Sequence, residues 1–445
     1  MNLPKADTLP AFDRAERRAA VLSRLAGGIA VFRAPALVTH HHDVEYRYRP
    51  ESDFFYLTGF PEPDAVAVLD ASAQRERFVL FVPPRDAEKE TWTGRRFGVE
   101  GAVERFGADA AHPIAELDGK LVAMIAAAGG PLHYRFGRED AFDHRLLGLA
   151  KRGWGSRPRT ANDLPLSILD PGPIVHEMRL RKSEAELAWM RHAIDIAAEA
   201  HVAAMRATRP QAGEHEIEAL IEYTFRRRGA DGWAYPSIVA GGANATILHY
   251  TANSDRLRDR ELLLIDAGAE AGGYCADITR TFPVGREPTP AQRRVHRIVL
   301  ESQLAAIAAV RPGVTFESVH ERALEVLAEG LRSLGVLETP TAQIVKDALY
   351  RPYYMHRTSH WLGMDVHDVG AYRQDGGSRV LEPGMVLTVE PGLYFAPTLD
   401  VRDELKGIGV RIEDDVLVTR EGHEVLSHAA PKSLEEIAAV RERPA

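Results

Sequence analysis

A single cysteine, Cys275, in 445 residues leaves no partner for an internal disulfide and excludes most thiolate metal sites. No stretch approaches the roughly 20 apolar residues that a membrane-spanning helix needs. The N-terminal run from Met1 to Leu25 is charged and broken by Pro4 and Pro10, unlike a secretory leader. Basic residues are in deficit, 55 against 64 acidic ones for a net charge of −9, so nothing suggests a nucleic-acid surface. Tandem repeats and low-complexity tracts are missing as well. What is present is ordinary soluble composition, 45% hydrophobic and 27% charged, long enough for two domains with full cores. These features lead us to expect a cytoplasmic, enzyme-sized chain with neither a nucleic-acid nor a membrane partner.

Periodicity predicts a basic helix over Asp13 to Leu25, then strands at Gly28 to Phe32, Ala65 to Leu69 and Arg77 to Val82. The run His40, His41, His42 could be taken for a metal tract. Adjacent side chains on an extended chain point to alternate sides, so it reads better as a polar loop. Trp92 falls in a turn-rich segment ending at Arg96. It is either buried against its own domain or placed at a cleft or subunit contact. Ala110 to Gly153 alternates helical and strand patterns, as α/β layering requires. The prolines and glycine between Ser167 and Pro173 are expected to stop regular structure, giving domains 1–172 and 173–445. A capping box, Ser183 with Glu186, opens a helix to about Arg206. Further helices are expected at Glu214 to Arg228, Thr289 to Ala309 and Phe316 to Leu334.

The chemistry concentrates in the second part. Glu261 to Pro283 reads as a β-hairpin carrying two aspartates. An even-membered loop centred between Ala271 and Gly272 places Asp266 directly opposite Asp277, with Cβ atoms roughly 5 Å apart, where two carboxylates repel unless a cation lies between them. Three histidines follow at His356, His360 and His367. Glu390 ends an apolar strand, and Arg411 and Glu413, two apart, share one side of another. A glycine-rich loop beginning at Gly241 leads to His249 but lacks the lysine of a phosphate loop. Each feature alone is weak, since a lone histidine is more often structural and a strand-end glutamate is usually solvated. Together they put four carboxylates beside apolar runs that should be buried, which is costly without cations.

The order Asp266, Asp277, His360, Glu390, Glu413 resembles the metal set of the pita-bread metallopeptidases. The segments Ile247 to Tyr250, Ser359 to Gly370 and Glu382 to Gly392 are most similar to the aminopeptidase P branch, and Tyr48 to Phe60 resembles its creatinase-like first domain. The resemblance implies a mixed α/β (α+β) fold, with a creatinase-like N-terminal domain followed by a pita-bread catalytic domain. It also implies hydrolysis of the bond between an N-terminal residue and a proline at position two. Two divalent ions, of which Mn²⁺ is the usual one in the family, would be held by Asp266 on one side and by His360 and Glu390 on the other, bridged by Asp277 and Glu413. Glu390 would also act as proton acceptor, and His249 and His367 would stabilise the oxyanion or steer the carbonyl. His356, Tyr235 and Tyr372 would line the proline pocket, and Arg411 would hold a ligating carboxylate. Asp43 and Trp92 match positions that reach substrate from the first domain or from a neighbouring subunit. For Trp92 that implies a homo-oligomer, a dimer or tetramer. Two alternatives stay open. One is a dipeptide-specific prolidase, for which Arg373 or Arg379 could hold a product carboxylate; the other is an inactive scaffold of the same fold.

Overall fold

The structure, a computed structural model, describes residues 8–157, 167–285 and 287–442. They divide into two compact units, one within Phe12–His176 and one from Glu177 onward together with the residues before Phe12. The first unit is built on a six-stranded sheet in the order Ala110–Pro113, Phe78–Val82, Ala65–Asp70, Ile29–Ala34, Leu132–His133, Ile168–Leu169. Its central pairings are antiparallel and its outer ones parallel. Residues 65–69 and Phe78–Val82 are continuous apolar runs buried throughout, as strands covered on both faces must be.

Three local expectations for this unit need correction. The 167–173 segment is not wholly irregular: Ile168–Leu169 adds the edge strand, and Gly172–Leu180 is already a helix. Pro173 sits in its first turn, where a missing N–H costs nothing. Trp92 lies in a helix, Ala87–Thr93, rather than in a turn. Asp86 caps the helix start by accepting from the Glu88 and Lys89 amides, and Gly94 ends it. The histidine run forms a small exposed hairpin, Thr39–His41 with Val44–Glu45, that turns at His42 and Asp43.

In the second unit the expected capping box of Ser183 with Glu186 forms at the helix Glu184–Ala207, and a second one, Thr289 with Gln292, opens Pro290–Ala309. Helices Glu214–Arg227 and Phe316–Ser333 complete the set expected from periodicity. Val295 and Val299 of Pro290–Ala309 and Leu327 and Leu331 of Phe316–Ser333 pack with Leu393, Phe395 and Val410 of the strand pair Gly392–Phe395 and Ile408–Arg411. Of the three three-stranded antiparallel sheets in the same unit, two carry the strands considered next. One is Ile238–Gly241, Leu262–Asp266, Thr279–Pro283; the other is Val386–Val389, Asp414–Val418, His423–Val425.

The hairpin register differs from expectation by two residues. Leu262 pairs with Pro283, Asp266 with Thr279 and Ala271 with Tyr274, so the turn is Gly272-Gly273 rather than Ala271-Gly272. The two glycines have φ of 60° and 81°. A two-residue hairpin turn with positive φ at both centres suits glycine and would strain alanine, and this moves the turn. Because the shift is even, both aspartates keep the same face. Gly268 lets the two arms approach, for a Cβ there would lie 1.7 Å from the Ala276 carbonyl oxygen. Isolated bridges from Thr279 to Glu413 and from Trp361 to Leu387 then bring the ends of separate sheets together.

Candidate metal centre

Asp266 ends its strand, and Asp277 lies between the two segments of the opposite arm. Both are buried. The Tyr235 hydroxyl reaches both carboxylates, lying 2.5 Å from Asp266 Oδ1 and in contact with Asp277 Oδ1. One phenolic proton serves only one of them. Arg411 Nη2 donates to Asp266 Oδ2 at 2.5 Å, and its Nε donates to Thr279 Oγ1 at 3.2 Å. Thr279 Oγ1 in turn donates to Glu413 Oε2 at 2.6 Å, so Arg411 and Glu413 do share one side, although the strand breaks between them.

His360 lies in an irregular segment beside the strand Val386–Val389, where its carbonyl accepts from the Thr388 amide at 3.0 Å. Its Nε2 lies 3.3 Å from Asp277 Oδ2 and 3.5 Å from Glu390 Oε1. Its Nδ1 is 3.0 Å from the Trp361 carbonyl oxygen and donates to it, so Nε2 is the nitrogen that faces the carboxylates. Glu390 follows the strand Val386–Val389 and is fixed by its own amide, which donates to the Thr358 carbonyl at 2.8 Å. One ligand atom each from Asp277, His360 and Glu413 falls within 4.8 Å of the others.

The electrostatics fit a cation. Burial pushes the Asp277 and Glu413 carboxyls up and Glu390 to about 7, with neighbouring carboxylates adding to the effect. Burial lowers the pKa of His360, but its hydrogen bond to Asp277 and the charges of Glu390 and Asp277 outweigh that and push it up to about 9. Fully ionised, the four carboxylates of Asp266, Asp277, Glu390 and Glu413 would place four negative charges against one on Arg411 and at most one on His360. Without ions the set must hold extra protons. An oxygen-rich cage with one imidazole suits divalent ions of the Mn²⁺ type, so the residues fit the metal that the pattern implies.

The flanking residues take defined positions. His367 stands with its ring 4.4 Å from that of His360 and nearly perpendicular to it. Burial, then the neighbouring His360, hold its pKa down, with His249 adding to the effect. Asp368 beside it pairs with Arg179 at 2.6 Å and Lys182 at 3.1 Å, which fixes that loop. His356 accepts at Nε2 from the Tyr394 hydroxyl at 2.8 Å, and burial pushes its pKa down to about 3. Tyr372 stacks on Trp361 and is partly exposed. Tyr235 is aimed at the aspartates, so its hydroxyl serves the carboxylates rather than an open pocket. Asp43 and Trp92 belong to the first unit, where both are exposed, Trp92 by 84%.

Sequence reasoning missed Thr279 and Tyr394. Thr279 is two residues beyond Asp277, hence on the same face, and that spacing was the available signal. Tyr394 accepts from Arg411 Nη1 at 3.1 Å and links it to His356. Nothing in its apolar strand marks it out.

Residues 188–420 match the model of metallopeptidase family M24, and residues 14–133 match that of the aminopeptidase P N-terminal domain. The Xaa-Pro aminopeptidase of Escherichia coli K12 is 43% identical over 427 residues, covering 95% of this chain and 96% of its own. The human Xaa-Pro aminopeptidase 3 is 34% identical over 89% of this chain and 77% of its own. Among solved structures, aminopeptidase PepP of Pseudomonas aeruginosa superposes with a TM-score of 0.93 at 42% identity, over 99% of both chains. Proline aminopeptidase P II of Yersinia pestis gives 0.91 at 42% identity, over 96% of this chain and 98% of its own.

Proposed function

This chain belongs to metallopeptidase family M24, with an aminopeptidase P N-terminal domain, and from that premise we infer that it is a hydrolase releasing an N-terminal residue from peptides with proline second. The observation carrying this reading is the convergence of Asp277, His360 and Glu413, with Asp266 and Glu390 alongside, in one buried cluster. We assign domain 1–172 to the creatinase-like part and 173–445 to catalysis.

Asp266, Asp277, His360, Glu390 and Glu413 would hold two divalent ions, with Mn²⁺ proposed. Bound there, they would supply Lewis acidity and a water of lowered pKa. The chain's own groups do the rest. Arg411, tied to Asp266, orients that carboxylate, and Tyr235 spans the two aspartates. Glu390 takes a proton from the attacking water at a carboxylate oxygen. The prolyl nitrogen is a tertiary amide with no N–H, so recognition cannot grip that hydrogen and the leaving amine must gain a proton. His249 and His367 donate to the carbonyl oxygen as charge develops on it. His356 and Tyr372 border the proline side. Trp92, largely exposed, is proposed to reach substrate in a neighbouring chain, which makes a homo-oligomer part of the proposal. Asp43 is proposed as a substrate contact on the resemblance alone. A cytoplasmic location belongs to the same reading; among the described residues no helix is long and apolar enough to cross a membrane.

The prolidase alternative loses one of its two arginines. Arg379 is only 2% exposed and is committed to Glu177 at 2.8 and 3.0 Å and to Glu382 at 3.0 Å. A Gly-Pro-Xaa tripeptide and a Gly-Pro dipeptide, assayed side by side with Mn²⁺, test the reading. Tripeptide turnover is expected, and dipeptide cleavage without it would reject an aminopeptidase.

A further inference from the structure

The loop that carries His249 is gripped from both ends by one carboxylate. Glu214 opens the helix Glu214–Arg227 and is completely buried, at 0% exposure. Its Oε1 accepts from the Gly241 amide at 2.8 Å and from Asn244 Nδ2 at 3.0 Å. Its Oε2 accepts from the Tyr250 hydroxyl at 2.8 Å and from the Asp255 amide at 2.9 Å. The two donors on Oε1 precede His249 in the chain, and the two on Oε2 follow it. The Glu214 amide closes the arrangement by donating to the Asp255 carbonyl at 2.9 Å, and Asn244 Nδ2 also reaches Asp255 Oδ2 at 3.0 Å.

Between these anchors the chain forms the 3-10 turn Gly242–Thr246 and then runs through exposed Ile247 and His249. Leu248 is only partly buried. Leu248 packs against the main core cluster and Tyr250 against Ile238, Ala240, Ala245 and Leu264, so the side chains flanking His249 rest on the core while His249 itself is exposed. A glutamate at a helix start is ordinarily a solvated residue favoured by the helix dipole. Here it is withdrawn from water and has no cation among the four donors. Such burial is tolerated because both oxygens are filled by donors, and each donor would lose its partner if the carboxylate went.

We propose that Glu214 is a positioning residue for the peptidase reaction, fixing His249 against the carboxylate centre by holding both ends of its loop. The proposal rests on the role given to His249 above. Glu214→Gln keeps the size of the side chain but turns one acceptor into a donor, so part of the four-donor set is left unpaired. Tyr250→Phe removes one bond and leaves every other group in place.

The test is a cycle of the unmodified enzyme, Glu214→Gln, His249→Ala and the double variant. Each is assayed on a Gly-Pro-Xaa tripeptide with Mn²⁺, and metal content is measured alongside. The expected loss in kcat for Glu214→Gln is about 10- to 100-fold at unchanged metal content. That loss should vanish when His249 is already alanine, because the two act as one unit. In the metal-free protein, amide exchange over 241–255 should quicken while the helices elsewhere keep their protection. Equal losses with and without His249 would overturn the proposal. If Glu214→Gln fails to fold, Tyr250→Phe carries the same cycle: a several-fold loss confined to the His249 background supports it, and no loss overturns it. A fully active His249→Ala enzyme would sink the role of His249, and this proposal with it, while leaving the peptidase reading in place. An unmodified enzyme that cleaves no Xaa-Pro bond would remove that reading, and unchanged exchange over 241–255 would then show that Glu214 does not hold the loop.

Discussion

Arg411 shows how much of the centre depends on side chains that would themselves touch no ion. Its guanidinium is spread over Asp266, Tyr394 and Thr279, and Thr279 passes the contact on to Glu413. A lysine offers one point charge and cannot reproduce that fork. Arg411→Lys is therefore expected to lose about 10- to 100-fold in metal affinity or activity, read by Mn²⁺ titration of turnover. An unchanged titration midpoint would remove Arg411 from the account. Glu390 is held by a backbone bond to Thr358 and adds little to the core, so Glu390→Ala should abolish turnover while the circular dichroism spectrum stays native. Retained turnover would mean that the site is misassigned.

At the scale of elements, the hairpin decides whether the two aspartates converge. Gly268→Ala would drive a methyl into the Ala276 carbonyl, next to Asp277 on the opposite arm. Overpacking of this kind costs typically about 1–3 kcal/mol, so a lowered urea midpoint together with weakened metal binding is expected. Stability equal to the unmodified protein would show that the arms need no close approach. The same hairpin marks the limit of reading from sequence. Its two arms and shared face were legible because alternation has period two, yet the rung was not, because any of several glycine-containing turns fits the pattern until φ is known. Helix starts were legible to within a residue where a side chain caps the amides, as at Ser183 and Thr289. The helix holding Trp92 was not, since none of its residues is buried and it has no apolar face to read. The five-residue acidic and imidazole set was legible in order only through the resemblance. Thr279 could have been read from its spacing to Asp277, whereas Tyr394 and Glu214 act through contacts that no local spacing announces.

At the scale of the whole molecule, stability should depend on acid and on metal. Burial pushes His201, His296 and His320 down to about 4. Above pH 7 each is neutral both folded and unfolded, so none affects stability there. As pH falls from about 6.5 towards 4, the unfolded chain takes up protons that the folded one refuses, and stability drops by on the order of 1.4 kcal/mol per pH unit per histidine. Thermal midpoints should therefore fall between pH 6.5 and 4.5, and His296→Gln should make the fall shallower. A midpoint flat over that interval would contradict the burial of these rings.

Metal content of the purified chain, measured by mass spectrometry after Mn²⁺ loading and removal of free ion, tests the central claim most directly. The account predicts about two ions per chain, as a paired site requires, falling sharply in Asp277→Ala and Glu413→Ala variants that remain folded. A loaded, folded protein that retains no ion, or variants that retain as much as the unmodified chain, would contradict it.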